Sequence, residues 1–199
     1  MSPAKISINE LAAQLNVGDL VFIRIPAVPF TKVARVTSSW TNHVGIVIDL
    51  SRSEPVIAES KFPLSGRTKL SRYIGRSEAG RIAVIRLNSV ITRNQCEKME
   101  AAVQKRIGIL YDTGFNLRSP RQFCSRFVHE VLDEAMGIKV GEIEDFSTLL
   151  ARNPRADIAF CRLWYFGRIP WQRETVTPAS LLRSSSVHPV FDGFVSKDD

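Results

Sequence analysis

The sequence predicts an α+β fold with a largely antiparallel sheet packed against helices. Three observations carry this. Apolar, β-branched strand segments cluster in the first half, LVFIRI, HVGIVI, VIAES and RIAVIRL. Two long amphipathic helical patterns follow them, NQCEKMEAAVQKRI and RQFCSRFVHEVLDEAM. Strands grouped ahead of the main helices favour α+β over an alternating parallel architecture. A chain of 199 residues with 44% hydrophobic and 24% charged residues suits one core, so 1–199 is expected to be a single domain.

In chain order, Ser7 and Glu10 form a capping-box pattern before LAAQL, predicting a short helix within an N-terminal extension over 1–16. Gly18-Asp19 is a turn, and LVFIRI is a strand stopped by Pro26 and Pro29. The Pro-, Ser- and Thr-containing stretch from Ala27 to Asn42 reads as a loop or flap. His43 opens the next strand, and Glu59 closes VIAES after a short turn. The polar segment KFPLSGRTKLSRYIGRSEAG reads as loop or sheet edge, and RIAVIRL as a fourth strand. Thr92 and Gln95 repeat the capping-box pattern and open a helix running to Gly108, with Met99, Val103 and Ile107 facing a core and Cys96 on their stripe.

The run RSPRQFCSRFVHEVLDEAMGI is the most informative stretch. Phe123, Phe127, Val131 and Ala135 recur every four residues beside Val128, Leu132 and Met136, and Gly137 stops the helix. Ser119 as cap and Pro120 at the first helical position set its expected start. Cys124 then lies in the first turn, where free N–H groups and the helix dipole stabilise a thiolate. The plainer reading is a small buried hydrophobe. Downstream, EDFSTLLARN is expected to be a helix capped by Asp145, DIAFCRLWYF a late strand, TPASLL a helix capped by Thr177, and 190–199 a frayed tail.

A thiol nucleophile needs a base and a group that orients the base. Among the three histidines, His129 is five residues beyond Cys124, about 140° around the helix, and points away. His188 sits in a Ser-rich, Pro-flanked segment. His43, at a strand start, is the best base by position, and Glu59, one strand later in a meander, can orient its ring. Tyr111 is a candidate for contact with the oxyanion or the substrate carbonyl; a packed connector aromatic is its plainer role.

The net charge of +7 and pI near 9.7 permit nucleic acid, an anionic membrane surface or acidic substrates as partners. The basic residues are scattered, without a run of five or an interleaved aromatic motif, so nucleic acid is not expected. Three cysteines without metal-ligand spacing argue against a disulfide framework and for a reducing compartment, and no metal or cofactor is expected. The N-terminus lacks signal-peptide character and no apolar run approaches ~20 residues, so a cytoplasmic protein without a transmembrane segment is expected.

GDLVFIR, SSWTNHVGIVID, VIAES, YDTGF, FCSRFVHEVL and TPASLL, in that order from about Val17 to Leu182, resemble the circularly permuted NlpC-type papain-like hydrolases of the YiiX/YebB kind, with the YebB branch the best match. The resemblance implies a papain-like core in which the His- and Glu-bearing strands precede the Cys-bearing helix. It maps base, orienting acid and nucleophile onto His43, Glu59 and Cys124. It implies a cysteine hydrolase acting on an amide, ester or thioester through an acyl-enzyme. Two alternatives stand beside this: an acyltransferase on lipid-like substrates with the same triad, whose walls IPAVPF and WYFGRIPW could supply, and a non-catalytic module for lipid or an anionic ligand. Wall-peptide hydrolysis, familiar for NlpC-type enzymes, is disfavoured by the absence of wall-binding repeats.

Overall fold

The computed structural model describes residues 4–153 and 156–196, apart from the side chains of Pro29 and Val33. The chain forms β1 (Ala4–Ile6), α1 (Ile8–Gln14), β2 (Leu20–Ile23), α2 (Val28–Val36), β3 (His43–Asp49), β4 (Val56–Glu59), β5 (Gly66–Lys69), α3 (Leu70–Ile74) and β6 (Arg81–Leu87). There follow α4 (Arg93–Gln104), α5 (Cys124–Met136), β7 (Ile143–Asp145), α6 (Phe146–Ala151), α7 (Ile158–Trp164), β8 (Glu174–Val176), α8 (Pro178–Leu182) and β9 (Val187–Val195).

A seven-stranded sheet runs β1-β9-β6-β2-β3-β4-β5, antiparallel throughout except for the parallel β1–β9 pair at one edge. A two-stranded sheet, β7–β8, lies apart from it. The central strands are apolar along their length because both faces are covered. Along β2, Leu20 and Phe22 join the core formed with α4 and α5, whereas Val21 and Ile23 join a second core with Leu11, Leu70 and Tyr73. In β6, Ala83 and Ile85 face the first core and Ile82 and Val84 the second. The fold is the expected α+β class.

The capping boxes at Ser7/Glu10, Thr92/Gln95 and Thr177/Ser180 all form, and Asp145 caps α6. Phe127, Val128, Val131, Leu132 and Ala135 of α5 are buried, and Gly137 closes the helix in the left-handed conformation. Several expectations need correction. The stretch expected as a flap contains α2; Pro29 falls in its first turn, where a missing N–H costs nothing. DIAFCRLWYF is helical, not a strand: Asp157 accepts from Phe160 N–H at 2.9 Å and caps α7, outweighing the aromatic, strand-like composition. The 190–199 tail is ordered through Val195, because β9 pairs with β6 on one side and β1 on the other; residues 197–199 lie outside the described region. The N-terminal extension is not purely helical, since it contributes β1. The helix opened by Thr92 stops at Gln104, short of Gly108. Finally, Ser119 and Pro120 do not start α5. Gln122 pairs with the segment around Tyr111, accepting from Asp112 N–H at 2.8 Å and donating to Leu110 C=O at 2.9 Å. That pairing holds the chain extended, so Phe123 is the cap residue and offers no side-chain cap.

Gly45 shows how closely the sheet is fitted around His43. A Cβ there would lie 2.5 Å from Ile57 Cγ2 and 3.1 Å from Tyr73 Cε2. Glycine to alanine in a strand normally helps, but here it overpacks. Gly45→Ala is expected to destabilise by about 1–3 kcal/mol, read as a lowered urea midpoint. An unchanged midpoint would mean that Tyr73 and Ile57 yield freely.

Candidate active site

The sheet register brings two of the expected residues together. β2 and β3 pair antiparallel with Ile23 opposite His43, and β3 and β4 pair with Ile46 opposite Ala58. His43 and Glu59, at the adjoining ends of neighbouring strands, meet with His43 Nε2 2.5 Å from Glu59 Oε2. Both are buried, at 1% and 0% exposure. The loop before β3 is pinned by Asn42, which accepts from Ile25 N–H at 2.8 Å and donates to Ile25 C=O at 2.9 Å. Thr41 Oγ1 donates to Ile23 C=O at 2.8 Å.

Cys124 is the first residue of α5 and is buried at 2% exposure. The first intrahelical bond runs from Phe127 N–H to Phe123 C=O, so the N–H groups of Cys124, Ser125 and Arg126 have no acceptor within the helix. His43 Nδ1 is buried without a hydrogen-bond partner among the described residues. His43 and Cys124 nevertheless act strongly on each other. Burial alone would raise the thiol, but the His43 charge, the Val44 N–H and the Tyr111 hydroxyl outweigh it, and Cys124 is held below the ordinary thiol value. Burial alone would lower the imidazole; the Cys124 thiolate, then Glu59, outweigh that and lift His43 to about 9. Burial likewise opposes ionisation of Glu59, but His43 and then Arg76 hold its carboxyl far below the usual range. Tyr111 Oη lies 4.0 Å from Cys124 Sγ, and burial with the neighbouring thiolate pushes its hydroxyl up, so it remains a donor.

The other titratable candidates lie elsewhere. His129 is buried with Nδ1 2.8 Å from Val140 C=O, and His188 is exposed beside Asn88. Cys96 is half-buried on α4. Cys161, expected in a strand without a partner, instead lines the cleft that Cys124 faces.

That cleft, of about 700 Å³ with its mouth included, is walled by Val36, Phe115, Phe146, Leu150, Trp164 and Tyr165. WYFGRIPW supplies two of these walls as expected. IPAVPF does not: Phe30 instead packs edge-on against Tyr111, with ring centroids 6.2 Å apart. Sequence reasoning missed the groups around Glu59. Arg76 and Thr68 hydrogen-bond its carboxylate, and the Tyr73 ring packs on His43 at 5.7 Å. They arise in the polar stretch read as loop or edge, and no local pattern points them at Glu59.

A family model described as permuted papain-like amidase enzyme, YaeF/YiiX, C92 family, matches residues 14–191. The chain belongs to this family. A permuted papain-like amidase is an enzyme of the cysteine hydrolase type that takes an amide-containing substrate. The chain is similar to uncharacterized protein YiiX of Escherichia coli (strain K12), at 24% identity over 176 residues, 88% of this chain and 86% of that one. Its fold is similar to the crystal structure of metalloprotein yiiX from Escherichia coli O157:H7, with a TM-score of 0.83 and 24% identity over 91% of this chain and 99% of that one. Among the described residues, no helix of this amidase is long and apolar enough to cross a membrane.

Proposed function

We propose that this amidase works through a Cys124 acyl-enzyme, with His43 as the base and Glu59 orienting it. The observation that carries the reading is the buried His43, held through Nε2 by Glu59 at 2.5 Å while Nδ1 stays available to Cys124. His43 takes the thiol proton, giving a thiolate–imidazolium pair. The thiolate attacks the carbonyl of an amide, ester or thioester. The uncapped N–H groups at the start of α5, with the Tyr111 hydroxyl as a further donor, stabilise the oxyanion. His43 then protonates the leaving group, and water resolves the acyl-enzyme while Glu59 keeps the ring oriented.

The apolar walls of the cleft favour a second reading of the same machinery: a lipid-like acyl group, passed to an acceptor other than water. The E. coli O157:H7 neighbour is named a metalloprotein, and the residues here do not fit a comparable centre. Among the described residues no group of three or more His, Cys, Asp or Glu is arranged so that it could hold a metal ion. His43 Nε2 and both Glu59 oxygens already have partners.

Incubation with p-nitrophenyl esters of graded chain length, followed by intact-mass and peptide spectrometry, tests this reading. The expected result is an acyl adduct on Cys124, accumulating most with longer aliphatic chains. An adduct on Cys96 or Cys161 alone contradicts the assignment, and indifference to chain length contradicts the lipid-like reading.

A further inference from the structure

The Glu59 carboxylate is held on several sides. Beyond His43 on Oε2, Thr68 Oγ1 donates to Oε1 at 2.6 Å. Arg76 Nη2 lies 2.8 Å from Oε1 and 2.7 Å from Oε2, spanning both oxygens. Arg76 also covers the Tyr73 ring, 5.0 Å from its centroid. Tyr73 in turn packs against the His43 ring and is anchored by its hydroxyl, which donates to Val21 C=O at 2.8 Å. One guanidinium therefore reaches the imidazole by two routes, through the carboxylate and through the aromatic plate.

We infer that Arg76 is a positioning residue of this site, acting through Glu59 and Tyr73 to fix the His43 ring and to balance the buried charge so that Cys124 can be anionic. The inference rests on the reading of Cys124 as nucleophile. With Cys124 thiolate, His43 imidazolium, Glu59 carboxylate and Arg76 guanidinium, the cluster is neutral. Without Arg76 the buried carboxylate and thiolate lose the cation that touches both Glu59 oxygens, which is costly out of water and favours uptake of a proton. On Cys124 that proton removes the nucleophile. On Glu59 it removes the charge that supports the imidazolium. Both routes lower the thiolate fraction at neutral pH.

The other groups facing the cluster do not substitute for Arg76. Lys61 Nζ stands farther off, 3.4 Å from Glu59 Oε1 alone, and its hydrogen bond goes to Thr68 at 2.5 Å rather than to the carboxylate. Tyr73 and Tyr111 stay neutral, their hydroxyls pushed up chiefly by burial. Asp112, beside Tyr111, spends its oxygens on Gly114 and Asn116 N–H groups. Lys32, in the cleft wall, is paired with Asp157. The Arg76 side chain is itself 30% exposed, so its charge keeps contact with water while its tip reaches the buried carboxylate.

The test is the rate of Cys124 alkylation by iodoacetamide against pH, in the full chain, for wild type, Arg76→Met and Arg76→Lys, with thermal unfolding measured alongside. The Cys124 midpoint is expected to rise by about one pH unit or more in Arg76→Met, about tenfold less thiolate on the acid side. It should rise by a smaller amount in Arg76→Lys, because an ammonium keeps the charge but has no planar group to lie over the Tyr73 ring. Lost stability with an unmoved midpoint overturns the inference and leaves Arg76 a structural residue. If Arg76→Met does not fold, Arg76→Lys decides by the same criterion. A wild-type midpoint at the free-thiol value of ~8.5 removes the parent reading and this one with it; a depressed wild-type midpoint matched by both variants removes this one alone.

Discussion

Replacing Cys124 with alanine is expected to abolish acyl transfer, lowering kcat/KM by about four orders of magnitude or more, because removal of the nucleophile leaves only binding and oxyanion stabilisation. Cys96→Ala and Cys161→Ala should not do so. Cys96 is half-buried on α4, outside the cleft. Cys161 lines the cleft wall, and burial pushes its thiol up, so it packs against whatever occupies that space but does not ionise there. Its substitution is expected to change KM more than kcat. Steady-state kinetics on the three variants, with any ester or amide that wild type turns over, check this. Equal losses across all three would defeat the assignment of Cys124.

Glu59→Ala is expected to be the most destabilising single change at the site, at about 3–5 kcal/mol, because it strips the carboxylate partner from the buried His43 and from Arg76. The loss should depend on pH. The folded state raises His43 from 6.5 to about 9. It therefore holds that proton more tightly than the unfolded chain does. The resulting stabilisation is complete below about 6.5 and fades as pH rises through about 9. Glu59 is depressed in the folded state from 4.5, so its contribution is present above that value and fades in acid. The pair stabilises most between about pH 4.5 and 6.5. Urea unfolding of wild type and Glu59→Ala at pH 5.5 and 9.5 should show the larger gap at pH 5.5. An equal gap would mean that Glu59 serves packing alone.

The parts of this molecule that were legible in the sequence are those written in short-range patterns. The four-residue stripe of α5 reports a helix with one buried face, and Phe127, Val131 and Ala135 are buried there. His43 and Glu59 lie on strands joined by a short turn, and consecutive strands so joined pair with each other, which is why their proximity could be expected from sequence order. What stayed hidden depends on distant partners or on locally ambiguous composition. β9 contains Pro189 and Gly193, which look like breakers, yet Gly193 is suited to its place: a Cβ there would collide with the Ala4 carbonyl of β1. Ile158–Trp164 has strand-like residues but a helix cap. Tyr73 and Arg76 come from the short helix α3 and the turn after it, within a polar segment too brief to show a period. Their link to Glu59 is made by the β4–β5 pairing rather than by any motif.

The central claim is that Cys124 and His43 form a thiolate–imidazolium pair, and the most direct measurement is the iodoacetamide alkylation rate of Cys124 against pH in wild type and His43→Ala, by peptide mass spectrometry with Cys96 as the internal reference. The pair predicts that wild-type Cys124 reacts with a midpoint well under the free-thiol value of ~8.5, and that the midpoint climbs toward or past that value when His43 is removed. A wild-type Cys124 that titrates like a free thiol, or a depressed midpoint that is the same without His43, would contradict it.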